Sequence, residues 1–214
     1  RSEMMKKKVF ALMMAGIMVL NVPAFVLAEE NTQTEEAAGS EDVTETEETA
    51  QTEEYDYESY VYDYSMIDPE VYDGVWLSSF NLFDLYLPSD WEVLVNVGEG
   101  EVAEDDVYFQ CANADQTRSL TITYTVQEGT TLTSLTKDME EVGYDDISHV
   151  TINDIKVIAY TTYEDGVVLG GILAVDDEGG CYNVLLAAGE DDEEFTSIAQ
   201  NILYSFSLTE SSEE

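Results

Sequence analysis

Positive charge is what this chain lacks most: seven Lys and Arg stand against 47 Asp and Glu. So acidic a surface repels phosphate backbones and anionic lipid, which sets nucleic acids and membrane surfaces aside as partners. Histidine is almost absent. With His149 alone, a His-rich metal site is excluded, and any Ser-His-Asp arrangement would depend on a residue placed mid-strand at Ser148-His149-Val150, where a structural or exposed imidazole is expected. Cysteine is scarce too. Cys111 and Cys181 lack the CxxC spacing of zinc or redox motifs; in an exported chain they either close one long disulfide loop or stay as buried thiols, and both alternatives are open. No Walker loop, dinucleotide fingerprint, G-x-S-x-G elbow, H-E-x-x-H or EF-hand pattern occurs, and Gly98-Glu99-Gly100 and Gly170-Gly171 are too short to cradle phosphate. Accordingly no catalytic, cofactor-binding or metal-ligating residue is assigned, no cofactor is expected, and the chain is not expected to be an enzyme.

The one long apolar run is Val9 to Leu20. It follows Lys6-Lys7-Lys8 and precedes Pro23 and Val26-Leu27-Ala28, with Met4 or Met5 as the expected start. A basic n-region, a twelve-residue apolar stretch and small residues before the cut read as a secretory signal peptide over 1–28, cleaved after Ala28. A membrane anchor would need about 20 apolar residues. The expected location is therefore secreted or cell-surface exposed, without membrane insertion after cleavage. Removal of the leader takes four bases and one acid with it. Arg118, Lys137 and Lys156 then face 46 acids, a formal charge of −43.

Between Glu29 and Glu70 there are sixteen acids and no base. Low hydrophobicity with charge of one sign does not repay the entropy of ordering, so 29–70 reads as an acidic disordered spacer. Within it, from Tyr55, the composition shifts to Tyr55, Tyr57, Tyr60, Tyr62 and Tyr64 interleaved with acids, and Tyr72 follows. Such a string either stays a linker, docks on a basic or Pro-rich partner, or folds back on the domain.

The rest, 71–210, reads as one domain before an acidic tail at 211–214. Phe83 to Leu87 alternates into a strand that Pro88-Ser89-Asp90 ends, and Trp91 to Val97 forms a second. Val107 to Ala114 and Arg118 to Val126 read as a hairpin. Leu132, Leu135, Met139 and Val142 recur at helical spacing, with Thr131 or Thr133 as N-cap and Gly143 as stop. Strands follow at Ile147 to Ile152, Ile155 to Tyr163, Val167 to Val175 and Cys181 to Ala188, joined through Asn153-Asp154, Asp165-Gly166 and an acidic turn. Asp191 and Glu194 have capping-box spacing ahead of Phe195, Ile198, Ala199, Ile202, Leu203 and Phe206, one apolar stripe. That stripe must lie on the sheet. The expected class is α+β: two layers, a mostly antiparallel sheet with helices packed on it.

Phe83-Asp84-Leu85-Tyr86-Leu87-Pro88-Ser89-Asp90-Trp91 resembles the opening strand of PsbP-like domains. Leu120 to Val126 followed by Thr133-Ser134-Leu135 is similar to the family's strand and short helix, and Ile202-Leu203-Tyr204-Ser205-Phe206 to its ending. The likeness runs over approximately Phe80 to Leu208. It implies an exported bacterial PsbP-like protein, in a family made mostly of binding or assembly modules without catalytic residues.

Together these features lead to an exported, non-catalytic binding or assembly module with an acidic surface, partner unknown. The loops Glu99 to Asp106 and Asp176 to Gly180, or the sheet face, would meet a cationic protein or cell-surface polymer. Two alternatives remain in view: a cation-responsive (calcium) structural surface protein, since Glu104-Asp105-Asp106, Asp145-Asp146, Asp176-Asp177-Glu178 and Asp191 to Glu194 offer hard oxygen ligands, and a small carboxylate-dependent extracellular hydrolase.

Overall fold

The computed structural model describes residues 55–79, 83–98, 100–127, 129–144, 146–177 and 179–209. The expected leader, the spacer up to residue 54 and the acidic tail lie outside the described residues.

In chain order the elements are β1 (Val61–Tyr62), a 3-10 turn (Tyr64–Met66), β2 (Gly74–Ser78), β3 (Phe83–Pro88), β4 (Glu92–Asn96), β5 (Val107–Ala112) and β6 (Arg118–Val126). Helix α1 (Leu132–Glu141) follows, then β7 (Asp146–Ile152), β8 (Ile155–Glu164), β9 (Val167–Val175), β10 (Gly180–Gly189), helix α2 (Phe195–Ser205) and β11 (Ser207–Leu208). The described residues form a sheet-rich α+β fold with two α-helices. Eight strands form one sheet in the order β1-β7-β8-β9-β10-β6-β5-β4, and three form a second, β11-β3-β2. Every pairing is antiparallel except β1 with β7.

Local chemistry explains the meander. Asn153 and Asp154 have φ of 46° and 67°, and Asp165 and Gly166 have 52° and 82°. Paired left-handed residues make the tight turns whose twist suits a hairpin, and Asn, Asp and Gly tolerate them best. Helix α1 starts at Thr131, whose side chain accepts from Ser134 N while Ser134 Oγ accepts from Thr131 N. It ends at Gly143, φ 93°, where Gly143 N donates to Glu140 O and Tyr144 N to Met139 O.

The predicted capping box before α2 does not form. Glu194 is itself the N-cap and makes no side-chain cap bond, and Asp192 Oδ1 accepts from Glu194 N instead. Arg118 accounts for the difference. It draws the Glu194 carboxylate away at 2.9 Å and binds Asp192 through both Nε and Nη2.

Alternation along the strands gives the large sheet two apolar faces. On one, Ile158, Tyr160, Leu169 and Leu173 pack under Leu135 and Met139 of α1. On the other, Ile122, Val157, Ile172, Val184 and Leu186 pack under Ile198 and Ile202 of α2 and Phe83, Leu85 and Leu87 of β3. Each such side chain, fully buried, contributes roughly 1.5–3 kcal/mol. The expected two layers therefore become three: α1, the large sheet, then α2 with the small sheet. The stripe on α2 signalled one covering helix, whereas cover for the second face came from α1.

Two further expectations are resolved. Residues 55–70, assigned to the spacer on composition, are ordered on the domain: Tyr57 is buried, β1 pairs with Thr151 and Ile152, and Tyr62 stacks on Tyr204 at 4.7 Å. Their tyrosines find aromatic partners that a count of acids does not register. Cys111 and Cys181 are both free thiols. Cys111 lies opposite Leu120 and Cys181 opposite Thr125, so about five residues, roughly 17 Å, separate them along the strands, and they belong to opposite apolar faces. A disulfide needs Cα atoms within about 7 Å.

Candidate binding groove

Helix α2 crosses the large sheet on the β9, β10 side and leaves part of the face of β7, β8 and β9 uncovered. The result is a groove of about 410 Å³. Its floor is set by small side chains that only the strand register brings together. Ser148 faces Ala159, Ala159 faces Ile172, and Thr161 lies between Asp146 and Gly170. Ala199 and Leu203 of α2 form the wall. Tyr62 and Tyr204, stacked, mark one end, while Tyr163, 70% exposed, marks the other. From Phe195 to Tyr204 the helix runs about 14 Å, the length of about four residues of extended chain.

The groove has an acid on its rim, Asp146, and among the described residues its lining holds no Lys, Arg or His. Burial pushes the Tyr204 phenol up from its ordinary value, with neighbouring Tyr62 adding to the effect, so the ring stays neutral. Arg118 sits beyond the other end of α2 and is engaged by Asp192 and Glu194. Lys137 lies on α1, across the sheet, and Lys156 has its ammonium 5.4 Å from the Tyr57 ring centroid. The groove thus combines aromatic faces, a floor of small side chains and one rim carboxylate, a combination suited to a Lys or Arg side chain on an extended backbone.

A second cavity of about 500 Å³ lies beside Arg118, Trp91 and Tyr72. Arg118 and Asn113, two of its polar groups, are used within the fold. Arg118 is paired as above, and Asn113 Oδ1 accepts from Thr117 N and Arg118 N. Burial pushes the Asp192 carboxyl up, the largest single effect, but the hydrogen bonds and charge of Arg118 and the backbone N–H groups of Glu194 and Phe195 together outweigh it, so it stays below its ordinary value. This cleft ties β6 to the start of α2 and is the lesser candidate.

Of the residues singled out from sequence, Asp146, Gly170 and Gly171 line the groove, and the others fall elsewhere. His149 is half-buried on the α1 face: Tyr55 stacks on it at 4.0 Å, Tyr57 meets it edge-on at 5.3 Å, and Nε2 is 2.9 Å from Thr136 Oγ1. Burial lowers its pKa and Glu140 opposes the shift. In the acidic turn before β10, Asp176 Oδ1 accepts from Gly180 N and Oδ2 from Tyr124 OH. Glu99, Asp145 and Glu178 lie outside the described residues. Among the described residues, no three His, Cys, Asp or Glu side chains gather as a metal-holding group, and no helix is long and apolar enough to cross a membrane. Sequence reasoning named the sheet face as a contact surface but missed the groove's position on it. Its one sequence signal was Gly170-Gly171, set aside as a phosphate loop and not weighed as a pair of bare positions in a strand.

No protein-family model matches the chain, and no curated protein does. Among solved structures, the chain is similar to the solution structure of cyanobacterial PsbP (CyanoP) from Synechocystis sp. PCC 6803, with a TM-score of 0.46 and 13% identity, over 63% of this chain and 92% of that one. It is also similar to a 1.50 Å crystal structure from Bacteroides thetaiotaomicron VPI-5482, with a TM-score of 0.44 and 14% identity, over 64% of this chain and 48% of that one.

Proposed function

We propose that the protein is an exported, non-catalytic binding module whose groove between α2 and strands β7 to β9 takes an extended, Lys- or Arg-bearing segment of a partner protein. The observation that carries this is the groove itself: a floor of small side chains at Ser148, Ala159, Thr161 and Gly170, tyrosines at both ends, Asp146 on the rim and no base among the described lining residues. Export rests on the leader pattern of Lys6 to Ala28, and the cationic partner on the charge of 47 acids against seven bases. The placement of the only histidine between Tyr55, Tyr57 and Thr136, across the sheet from the groove, supports a non-catalytic role.

Gly170→Leu tests this directly. A Cβ at Gly170 meets Thr161 Oγ1 and Tyr160 O at 3.9 Å, ordinary contact, so the strand accepts a side chain that then fills the groove. Panels of basic extended decapeptides at physiological salt should bind the natural chain and lose at least about tenfold with Gly170→Leu, a change worth about 1.4 kcal/mol, while the melting temperature holds. Unchanged binding with the groove filled would refute the assignment.

A further inference from the structure

We infer that the partner segment docks as an added β-strand on the open outer edge of β7, beside β1, so that its alternate side chains enter the groove; this rests on the groove assignment above. Strand β1 covers only the last two residues of that edge, Val61 against Thr151 and Tyr62 against Ile152. On the same side, Asp146 to Val150 has no strand partner among the described residues. The polarity of this edge follows from two hydrogen bonds. Thr151 N donates to Tyr60 O at 2.9 Å and Asn153 N to Tyr62 O at 3.0 Å, so odd-numbered residues turn their N–H away from β8. Pairing of β7 with β8 is regular from Asp146 to Ile152, without a bulge. The N–H and C=O groups of Ile147 and His149 therefore point outward, four backbone groups in the plane of the sheet.

Side-chain placement connects this edge to the groove. Even-numbered residues of β7, Asp146, Ser148 and Val150, face it. A ninth strand in register with them lays every second side chain over the same face, next to Asp146 and the small floor residues. Asp146 to Val150, the stretch without a strand partner among the described residues, spans about 16 Å, close to the length of the groove, with Tyr55 and Tyr57 packed on the His149 ring. This is the division of labour seen where peptides add to sheet edges: main-chain bonds supply affinity and alternate pockets supply specificity. The occupant is a basic polypeptide and not a second copy of this chain, because two copies would bring 47 acids against 47 with seven bases each.

The probe is an acetylated and amidated octapeptide of alternating Lys and Val, compared with the same peptide N-methylated throughout, which keeps the charge and removes the strand donors. Each is titrated by calorimetry into the full chain and into Gly170→Leu, with amide hydrogen exchange read on the complex. N-methylation should weaken binding about tenfold or more, and exchange at Ile147 and His149 should slow by a similar factor. Equal binding of the two peptides, no binding of either, or protection confined to β4 at the opposite edge overturns the edge inference. Loss with Gly170→Leu but not with N-methylation leaves the groove assignment standing and removes the edge; loss with N-methylation but not with Gly170→Leu supports the edge and removes the groove. Indifference to both changes removes both.

Discussion

Gly170 and Gly171 are adjacent in β9, yet adding one methyl group should move stability in opposite directions. Gly170 opens onto the groove, with neighbours 3.9 Å from an added Cβ. Alanine there removes backbone freedom from the unfolded chain and introduces no clash, a gain of about 0.5 kcal/mol. Gly171 faces the opposite way. Its Cβ would press on the carbonyl oxygen of Val184 in the neighbouring strand and come within 3.0 Å of the Tyr160 hydroxyl. Neither can yield cheaply. Val184 lies in the middle of the β9–β10 ladder, and the Tyr160 hydroxyl, buried, donates to Asn183 Oδ1 at 2.8 Å. Strain from overpacking costs about 1–3 kcal/mol and a weakened buried hydrogen bond about 1 kcal/mol. After the small backbone gain, Gly171→Ala should lose about 2–3 kcal/mol. For a domain of this size that lowers the melting temperature by roughly 5–10 °C, whereas Gly170→Ala should hold it or raise it slightly. Thermal and urea unfolding of both variants by circular dichroism decides the matter. Similar effects from the two substitutions would refute the assignment of Gly170 to the open face and Gly171 to the packed one.

The thiols offer a second check. Burial pushes both Cys111 and Cys181 up to about 12, and they cannot reach each other, so reductant should leave the melting temperature unchanged, and a thiol reagent should label Cys111 only after unfolding and the half-buried Cys181 sooner. His149 gives a pH signature. Burial depresses its folded pKa against the opposing pull of Glu140, so the fold favours the neutral ring. The stability it contributes is complete above the unfolded value of about 6.5 and falls away as pH drops through that value toward the folded one. A melting series from about pH 7.5 to about 5.5 should slope downward, and His149→Gln should flatten it; an unchanged slope would assign the titration to another group.

Much of the fold was legible because its signals are local. The alternation of Phe83, Leu85 and Leu87, the turn residues Asn153-Asp154 and Asp165-Gly166, and the stripe from Phe195 to Ile202 each state one element within a few residues. All of them correspond to observed elements or turns. What failed depends on partners distant in sequence. The box expected from Asp191 and Glu194 lost to Arg118, a residue in β6 that no local rule places beside α2. The groove was invisible for the same reason: Ser148, Ala159, Thr161 and Gly170 come from three strands and mean nothing until their register aligns them. Residues 55–70 follow one of the three readings open for their tyrosines, folding back on the domain, where composition alone read a spacer. Net charge and low hydrophobicity describe the average of that segment, while its order comes from specific contacts of a few tyrosines and two asparagines.

Those asparagines decide whether the segment is part of the fold or merely rests on it. Asn201, buried in α2, accepts from Asp68 N at 3.0 Å through Oδ1 and donates to Asp68 O at 2.8 Å through Nδ2. Asn153 accepts from Tyr64 N and donates to the carbonyls of Tyr204 and Phe206. Between them they fix the chain on either side of the Tyr64–Met66 turn to the end of α2, which sets Tyr62 against Tyr204 at the mouth of the groove. Asn201→Leu removes both bonds to Asp68 and leaves its N–H and C=O without their partner, a loss of about 1–3 kcal/mol. Asn201→Asp is the sharper variant. The carboxylate still accepts from Asp68 N but cannot donate to Asp68 O, so the charge faces a carbonyl oxygen in a buried site, and the loss should exceed that of Asn201→Leu above about pH 5 and shrink as the carboxyl protonates below it. Hydrogen exchange completes the test: in either variant the amides of Met66, Ile67 and Asp68 should open faster than those of β9 and β10. A uniform change across the sheet would mean the segment unfolds only with the whole domain, and that the asparagine tether is not what holds it.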